Sequence, residues 1–190
     1  METIKLSSKA LSRAAIFLKK GGIVICPTDT VYGFVADASS KKAVEKIYKI
    51  KKRPKSKPLS VFVKDFTMAR GLALIDARQA KMLKKFWPGK YTLVLNRKPN
   101  KKLYGLNKKT IAIRISNYPF LQKLLKKVNR PLAQTSVNIS GKPPINNIQE
   151  IIKTIGRSDL PILMIDGGNF KKAKPSKIVD LTREKIVTLR

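Results

Sequence analysis

The fold class is decided by one segment, Ile23-Val24-Ile25-Cys26-Pro27-Thr28-Asp29-Thr30-Val31-Tyr32-Gly33. Its four consecutive apolar residues at 23–26 predict a buried strand, which Pro27 ends because proline has no backbone N–H to donate. Hydroxyl, carboxylate and phenol groups follow at once, at the end of a strand, where α/β sheets place binding groups. The same residue types also favour a simple turn. The segment alone leaves a binding site and a turn as open alternatives.

Helices and strands alternate on both sides of this segment. Ser7 and Ser40 are candidate N-caps for two helices, of which the first ends at Gly21-Gly22 and the second before Pro54. Further helices are predicted at 76–86, 119–128 and 148–155. Strands are predicted at 59–63, 91–95, 110–115, 132–135, 162–165, 178–181 and 185–189. The alternation predicts one α/β domain with helices against a twisted sheet, and 190 residues suit one such domain.

The composition is strongly basic, with 42 Lys and Arg against 11 Asp and Glu and a formal charge of +31. Such a field attracts nucleotides, nucleic acids or anionic membranes, although a solvated lysine-rich surface is the alternative. Cys26 is the one cysteine, and there is no histidine, which argues against disulfides, zinc sites and His-based catalysis. No apolar stretch approaches the about 20 residues of a membrane span. A cytoplasmic location without a membrane partner is expected.

A cluster of cations follows the second predicted helix, in Lys51-Lys52-Arg53-Pro54-Lys55-Ser56-Lys57. Positive side chains stabilise the C-terminal end of a helix through its dipole. Clustered cations are also what a triphosphate requires, and arginine can bind phosphate oxygens in a bidentate manner. A solvated lysine-rich loop remains the alternative for this segment.

Two further segments join an apolar strand to polar groups. Arg114 ends the predicted strand 110–115 and could reach an anion at the rim of the sheet. The stretch Thr135-Ser136-Val137-Asn138-Ile139-Ser140-Gly141 follows another strand, and its hydroxyl, amide and backbone N–H groups suit phosphate or carboxylate recognition. An ordinary strand-end arginine and a Ser/Thr turn are the alternatives. Neither a P-loop nor a Rossmann fingerprint is present.

Taken in order, these segments resemble the YrdC/Sua5 family of threonylcarbamoyl-AMP synthases, from about Lys9 to Leu181. The resemblance rests on 27–33, Lys51-x-Arg53-Pro54-x-x-x-Pro58-Leu59, Trp87-Pro88-Gly89, Ala112-Ile113-Arg114, Thr135-Ser136-x-Asn138-x-Ser140-Gly141, and Ser176 before Val179-Asp180. It implies a single YrdC-like domain over residues 1–190, with a twisted open mixed sheet flanked by helices and a basic concave face. The chain looks like the short bacterial (TsaC-like) form.

The resemblance also implies a reaction, in which L-threonine, bicarbonate and ATP give L-threonylcarbamoyladenylate and pyrophosphate. Mg²⁺ is expected to accompany ATP, and no metal ligands are predicted in the protein itself. The implied partner is a threonylcarbamoyl-transferase machinery that modifies adenosine 37 of tRNA, and direct contact with tRNA is left as an open alternative. A carbamate oxygen attacks the α-phosphorus, so positioned cations contribute more than a general base, and the lack of histidine is compatible with the chemistry.

The resemblance carries roles over to individual positions of this sequence. Lys51 and Arg53 are the predicted catalytic pair, which holds phosphate groups. The residues predicted to bind threonine and its carbamoyl group are Thr28, Thr30, Tyr32, Thr110 and Arg114. The residues predicted to bind ATP, besides the catalytic pair, are Thr135, Ser136, Asn138, Ser140 and Ser176.

Two alternative functions remain. A non-enzymatic RNA-binding module would account for the charge and would bind RNA in a salt-dependent manner without ATP turnover. A YrdC-like paralogue could act on another carbamoyl or acyl substrate, but such a paralogue is expected to lose Lys-x-Arg or Ser-x-Asn. Both motifs are present, at Lys51-x-Arg53 and Ser136-x-Asn138.

Overall fold

The computed structural model describes residues 1–170, 174–183 and 185–189. Within them lie six helices: α1 (Ser8–Lys19), α2 (Lys41–Lys51), α3 (Phe66–Leu72), α4 (Ala77–Phe86), α5 (Pro119–Val128) and α6 (Ile148–Ile155). The same residues form ten strands: β1 (Glu2–Lys5), β2 (Ile23–Cys26), β3 (Gly33–Asp37), β4 (Ser60–Phe62), β5 (Tyr91–Asn96), β6 (Thr110–Arg114), β7 (Leu132–Ser136), β8 (Ile162–Asp166), β9 (Lys177–Asp180) and β10 (Val187–Thr188).

All ten strands belong to one open sheet in the order β1-β8-β2-β3-β7-β4-β6-β5-β9-β10. Parallel and antiparallel pairs are mixed, since β2 pairs with β8 in parallel and with β3 in the antiparallel sense. This confirms the predicted α/β fold with a mixed open sheet. The extent of the domain over residues 1–190 stays a prediction, and so does the basic character of its concave face.

The two faces of the sheet carry separate hydrophobic cores, and β2 contributes to both. Ile23 and Ile25 pack into the larger cluster, which also contains Ile47 of α2. Val24 and Cys26 point to the other face, into a cluster that contains residues of α1 and α5. Successive side chains of a strand point to opposite faces, so a strand covered on both sides is apolar throughout. The run of four apolar residues therefore marks a central strand.

The two predicted N-caps, Ser7 and Ser40, are confirmed, and Asp76 caps a third helix that the sequence analysis begins at this residue. The Ser7 hydroxyl accepts a hydrogen bond from Ala10 N at 3.1 Å, and Ser40 and Asp76 cap α2 and α4 in the same way. Each cap accepts one of the N–H groups that lack a partner at a helix start. None of the described helices combines the length and the apolar character that crossing a bilayer requires. The cytoplasmic location stays a prediction.

Three elements are absent from the predicted set. β3 is buried over its whole length between β2 and β7, so its sequence shows none of the alternation that marks a half-exposed strand. β1 has only four residues and one apolar side chain, and α3 has only seven residues, both too short for a periodic signal. The last predicted strand, 185–189, is observed over Val187–Thr188 alone.

The buried face of α5 gives a test of the smaller core. Leu124→Ala removes a fully buried side chain that packs between α5 and the sheet, so the free energy of unfolding should fall by about 2–5 kcal/mol. The exposed neighbour Lys123→Ala on the same helix should change it by less than about 0.5 kcal/mol. Urea denaturation measures both values, and equal losses would contradict the assignment of this core.

Candidate active site

The connection between β2 and β3 is stabilised by its own side chains. The Thr28 hydroxyl donates to Val31 O at 2.7 Å and accepts from Thr30 N at 3.1 Å, and the two threonine hydroxyls lie 3.0 Å apart. Both threonines are buried. These bonds are those of a turn, yet the same two residues also line a cavity. The turn is therefore observed, and the binding role of these threonines stays a prediction.

Arg114 is fixed beside this turn at the end of β6. Its Nη1 donates to Thr30 Oγ1 at 2.9 Å, its Nε donates to Gly89 O at 3.0 Å, and its Nη2 lies 2.7 Å from Asp29 Oδ1. The arginine is 2% exposed. An ordinary strand-end arginine extends into solvent, so this burial supports a role in a site.

Lys51, the last residue of α2, joins the helix to the loop after β7. Its ammonium donates to Ser136 O at 2.6 Å, to Asn138 O at 2.9 Å and to Asn138 Oδ1. A second link runs between backbones, from Ser140 N to Lys51 O at 2.8 Å. An ammonium has three N–H donors, and all three are used here. Lys51 therefore contributes charge to its surroundings, but a direct bond to a ligand would require one of these bonds to be exchanged.

Arg53 lies on the rim of the same region. Lys52 adopts a left-handed conformation with φ of 48°, which ends α2 and turns the chain. The Arg53 guanidinium then donates from Nε to Lys57 O and from Nη2 to Pro58 O, each at 3.0 Å. These two bonds engage two of its five N–H donors, so the guanidinium is oriented by its own loop and keeps donors for an anion.

These groups surround one cavity of about 340 Å³. Five separate stretches of chain contribute the residues that the sequence singled out. Those that line it are Thr28, Thr30, Lys51, Arg53, Arg114, Thr135, Ser136, Asn138, Ser140 and Ser176. The structure thus brings ten of the twelve predicted site residues together, and their individual roles stay predictions.

The two remaining predicted residues lie elsewhere. Tyr32 is fully buried, and its hydroxyl donates to Gly168 O at 2.8 Å and accepts from Gly167 N at 2.9 Å. Burial raises the pKa of this phenol to about 12. Thr110 begins β6 and pairs with Asn96, four residues and roughly 13 Å from the Arg114 end of the strand. Tyr32 therefore anchors the loop after β8, and the geometry gives neither residue a contact with the cavity.

Two polar lining residues, Ser60 and Gln134, lie outside the predicted set of binding residues. Gln134 Nε2 donates to the Ser60 hydroxyl across neighbouring strands, where the two residues are paired in register. A signal for Gln134 exists, because it precedes Ser136 by two residues on a strand and so shares its face. Ser60 lies at the start of an apolar strand, where nothing in its neighbourhood marks it as a site residue.

A larger cavity of about 830 Å³ adjoins the first, and Thr28, Thr30 and Pro175 line both. Three exposed lysines lie around it, at Lys90, Lys174 and Lys177. Asp29 is the carboxylate among the described lining residues. The Asp29–Arg114 ion pair therefore lies between the two cavities, with one partner in the wall of each.

Burial sets the electrostatics of the smaller cavity. Removal from water, together with the nearby positive charge of Arg53, lowers the pKa of Lys51 to about 7. Burial likewise lowers the pKa of Arg53 from its ordinary value. Lys51 is buried and Arg53 is partly buried, so water screens their repulsion poorly, and an anion that enters between them relieves it.

Comparison with known proteins identifies the class. The Sua5/YciO/YrdC family model, described as "Telomere recombination", matches residues 16–190. The chain therefore belongs to the Sua5/YciO/YrdC family.

A putative threonylcarbamoyl-AMP synthase of Methanocaldococcus jannaschii is 37% identical over 98% of this chain and 89% of its own length. The threonylcarbamoyl-AMP synthase of Pyrococcus abyssi is 36% identical over 93% of this chain and 52% of its own, so the chain spans about half of that relative. The crystal structure of P. abyssi Sua5 complexed with L-threonine superposes with a TM-score of 0.87 and 31% identity, covering 100% of this chain and 56% of that one.

The buried ammonium of Lys51 gives a pH test. Its pKa is about 7 in the folded protein and about 10.4 in the unfolded chain. Between these values the unfolded state binds more protons, so the free energy of unfolding should rise with pH from about 7 to 10. Lys51→Met should lack this rise.

Urea denaturation between pH 6.5 and 9.5 measures the difference between wild type and variant. The exposed Lys49→Met on the same helix is the control, because it removes an equal charge from the surface. Parallel curves for Lys51→Met and wild type would contradict a lowered pKa in the folded state.

Proposed function

We propose that this protein is an L-threonylcarbamoyladenylate synthase, a nucleotidyltransferase that forms threonylcarbamoyl-AMP and pyrophosphate from L-threonine, bicarbonate and ATP. One observation carries the proposal: Lys51 and Arg53 face the same cavity as Ser136 and Asn138, beside the Thr30–Arg114 pair. The names of the M. jannaschii and P. abyssi relatives support the same reaction.

The cationic end of the cavity suits the triphosphate. Arg53 is oriented by Lys57 O and Pro58 O and offers its remaining donors to phosphate oxygens. Lys51 adds a nearby positive charge and holds the 136–140 loop, whose hydroxyl and amide groups complete the lining. Charge that develops on the leaving pyrophosphate is thus stabilised by groups that are already in place.

The Thr30–Arg114 end suits the amino acid. Thr28, Thr30 and Arg114 line the same cavity as Lys51 and Arg53, and their hydrogen bonds fix the orientation of each group. Hydroxyl and guanidinium groups together can recognise the carboxylate and hydroxyl of threonine. The binding of L-threonine to the P. abyssi Sua5 structure supports this assignment.

The reaction needs alignment more than proton transfer. The threonine amine combines with bicarbonate to give a carbamate and water. A carbamate oxygen then attacks the α-phosphorus, and the bond to the pyrophosphate oxygen breaks. Both reactants are anionic, so Lys51 and Arg53 lower the barrier by offsetting their repulsion and by holding them in line.

Mg²⁺ enters this scheme with the nucleotide substrate. No group of three or more His, Cys, Asp or Glu side chains in the described residues has the arrangement of a metal site. Mg²⁺ keeps several waters and is commonly bound through phosphate oxygens. Hydroxyl groups that line the cavity, among them those of Thr135, Ser136 and Ser140, could contact its water ligands.

The product is a mixed anhydride whose acyl group is activated for transfer. We propose that a threonylcarbamoyl-transferase machinery consumes it to modify adenosine 37 of tRNA, in the cytoplasm. The charge of +31 supports contact with tRNA through a basic face of this domain.

Release of pyrophosphate tests the reaction. ATP, L-threonine and bicarbonate together should give steady release, and omission of threonine or bicarbonate should abolish it. Equal release of pyrophosphate without threonine, or no release with all three substrates present, would contradict the proposal. Salt-sensitive RNA binding without turnover would favour the RNA-binding module, and turnover with a different amino acid would favour a paralogue.

Arg53 provides the sharpest variant. Arg53→Ala removes a charge-assisted phosphate contact worth about 1.5–3 kcal/mol, so turnover should fall roughly ten- to hundredfold. Lys55→Ala removes an exposed cation from the same loop, outside the lining of this cavity, and should stay within about twofold. Thermal melting confirms that both variants fold. Unchanged turnover in Arg53→Ala would remove this residue from the site.

A further inference from the structure

Asp29 has no role in the site as described so far, although it lies at the boundary between the two cavities. Its side chain is 7% exposed and that of Arg114 is 3% exposed, and the two form an ion pair at 2.7 Å. Ser116 donates a further hydrogen bond to the same carboxylate oxygen, Asp29 Oδ1. Asp29 is therefore held by both Arg114 and Ser116, and the ion pair is largely shielded from water.

The second carboxylate oxygen is not explained by the fold. Asp29 Oδ2 is buried and accepts no hydrogen bond from a described residue. A buried acceptor without a partner destabilises the folded protein. The ion pair offsets this cost, because loss of Asp29 would leave the buried charge of Arg114 uncompensated. The reason for a carboxylate at this position therefore involves its pairing with Arg114.

The reason lies in the charge that Asp29 cancels. Without it, Arg114 would present a full positive charge to the cavity that also contains Lys51 and Arg53, and anions would be drawn to all three. With it, the Arg114 end is neutral in charge but strongly polar, because the two charges are separated. Burial keeps solvent from screening this difference between the two ends.

We propose that Asp29 is a positioning and specificity-determining residue, which makes the Arg114–Thr30 end of the cavity select a zwitterion over an anion or a cation. This inference rests on the proposed function, since it assigns the amino acid to that end. Asp29 fixes Nη2 of Arg114, and this leaves Nη1 directed at Thr30. The phosphates are thereby directed to Lys51 and Arg53, and the amino acid to the neutral end.

Three compounds of nearly equal size and different charge test the selection. L-Threonine is a zwitterion, L-threoninol lacks the carboxylate and is a cation, and 2,3-dihydroxybutanoate lacks the amine and is an anion. Equilibrium titration of each into the protein gives a ranking that does not depend on turnover. The wild-type protein should bind L-threonine most tightly.

Two variants should shift this ranking in opposite directions. Asp29→Asn leaves Arg114 uncompensated, so the affinity for 2,3-dihydroxybutanoate relative to L-threonine should rise about tenfold, the effect of one charge near 10 Å at an effective dielectric constant of about 20. Arg114→Gln leaves Asp29 uncompensated, so the relative affinity for L-threoninol should rise by a similar factor. Loss of structure alone would weaken all three compounds without such a reversal.

Asp37→Asn is the matched control. Asp37 is also buried and pairs with an arginine, Arg130, at 2.7 Å, but neither residue lines the cavity. This variant should keep the wild-type ranking. If Asp29→Asn does not fold, Arg114→Gln carries the test alone. A wild-type ranking in the folded Asp29→Asn or Arg114→Gln variant overturns the inference, whereas a wild-type protein that binds no L-threonine contradicts the proposed function instead.

Discussion

The hydrogen bonds of one buried ammonium hold the site together. Lys51 donates to Ser136 O, Asn138 O and Asn138 Oδ1, and it thereby ties the end of α2 to the loop after β7. The Lys-x-Arg and Ser-x-Asn motifs are far apart in the chain, and these bonds make them one structure. Two of the three acceptors are backbone carbonyls and the third is the Asn138 side chain, so replacement of Lys51 breaks all three bonds and replacement of Asn138 breaks one.

The sequence predicts most of the fold because local signals agree with it. Ser7, Ser40 and Asp76 cap helices where their side chains suggest, and the apolar run 23–26 is a central strand. The missed elements have physical reasons. β3 is covered on both faces and so shows no alternation, and β1 is held by its pairing with β8, which is distant in the sequence.

The site is predicted less evenly than the fold. The family resemblance selects residues by type and order, and ten of the twelve face one cavity. Tyr32 and Thr110 differ because orientation depends on partners that the sequence does not reveal. The Tyr32 phenol forms hydrogen bonds with the backbone of Gly167 and Gly168, which follow β8. Thr110 pairs with Asn96 of β5, at the opposite end of β6 from Arg114. The role of Asp29 is likewise not visible in the sequence, because its buried pairing with Arg114 is what distinguishes it from a turn residue.

The internal bonding of the Thr28–Thr30 turn has a consequence for the thermodynamics of association. Thr28, Thr30 and Arg114 satisfy one another within the protein, so their rotamers are fixed during folding. An incoming molecule therefore meets a rigid wall and loses little affinity to the immobilisation of side chains. The wall of the site is therefore preorganised. The conformational entropy lost on binding is mainly that of the small molecule itself.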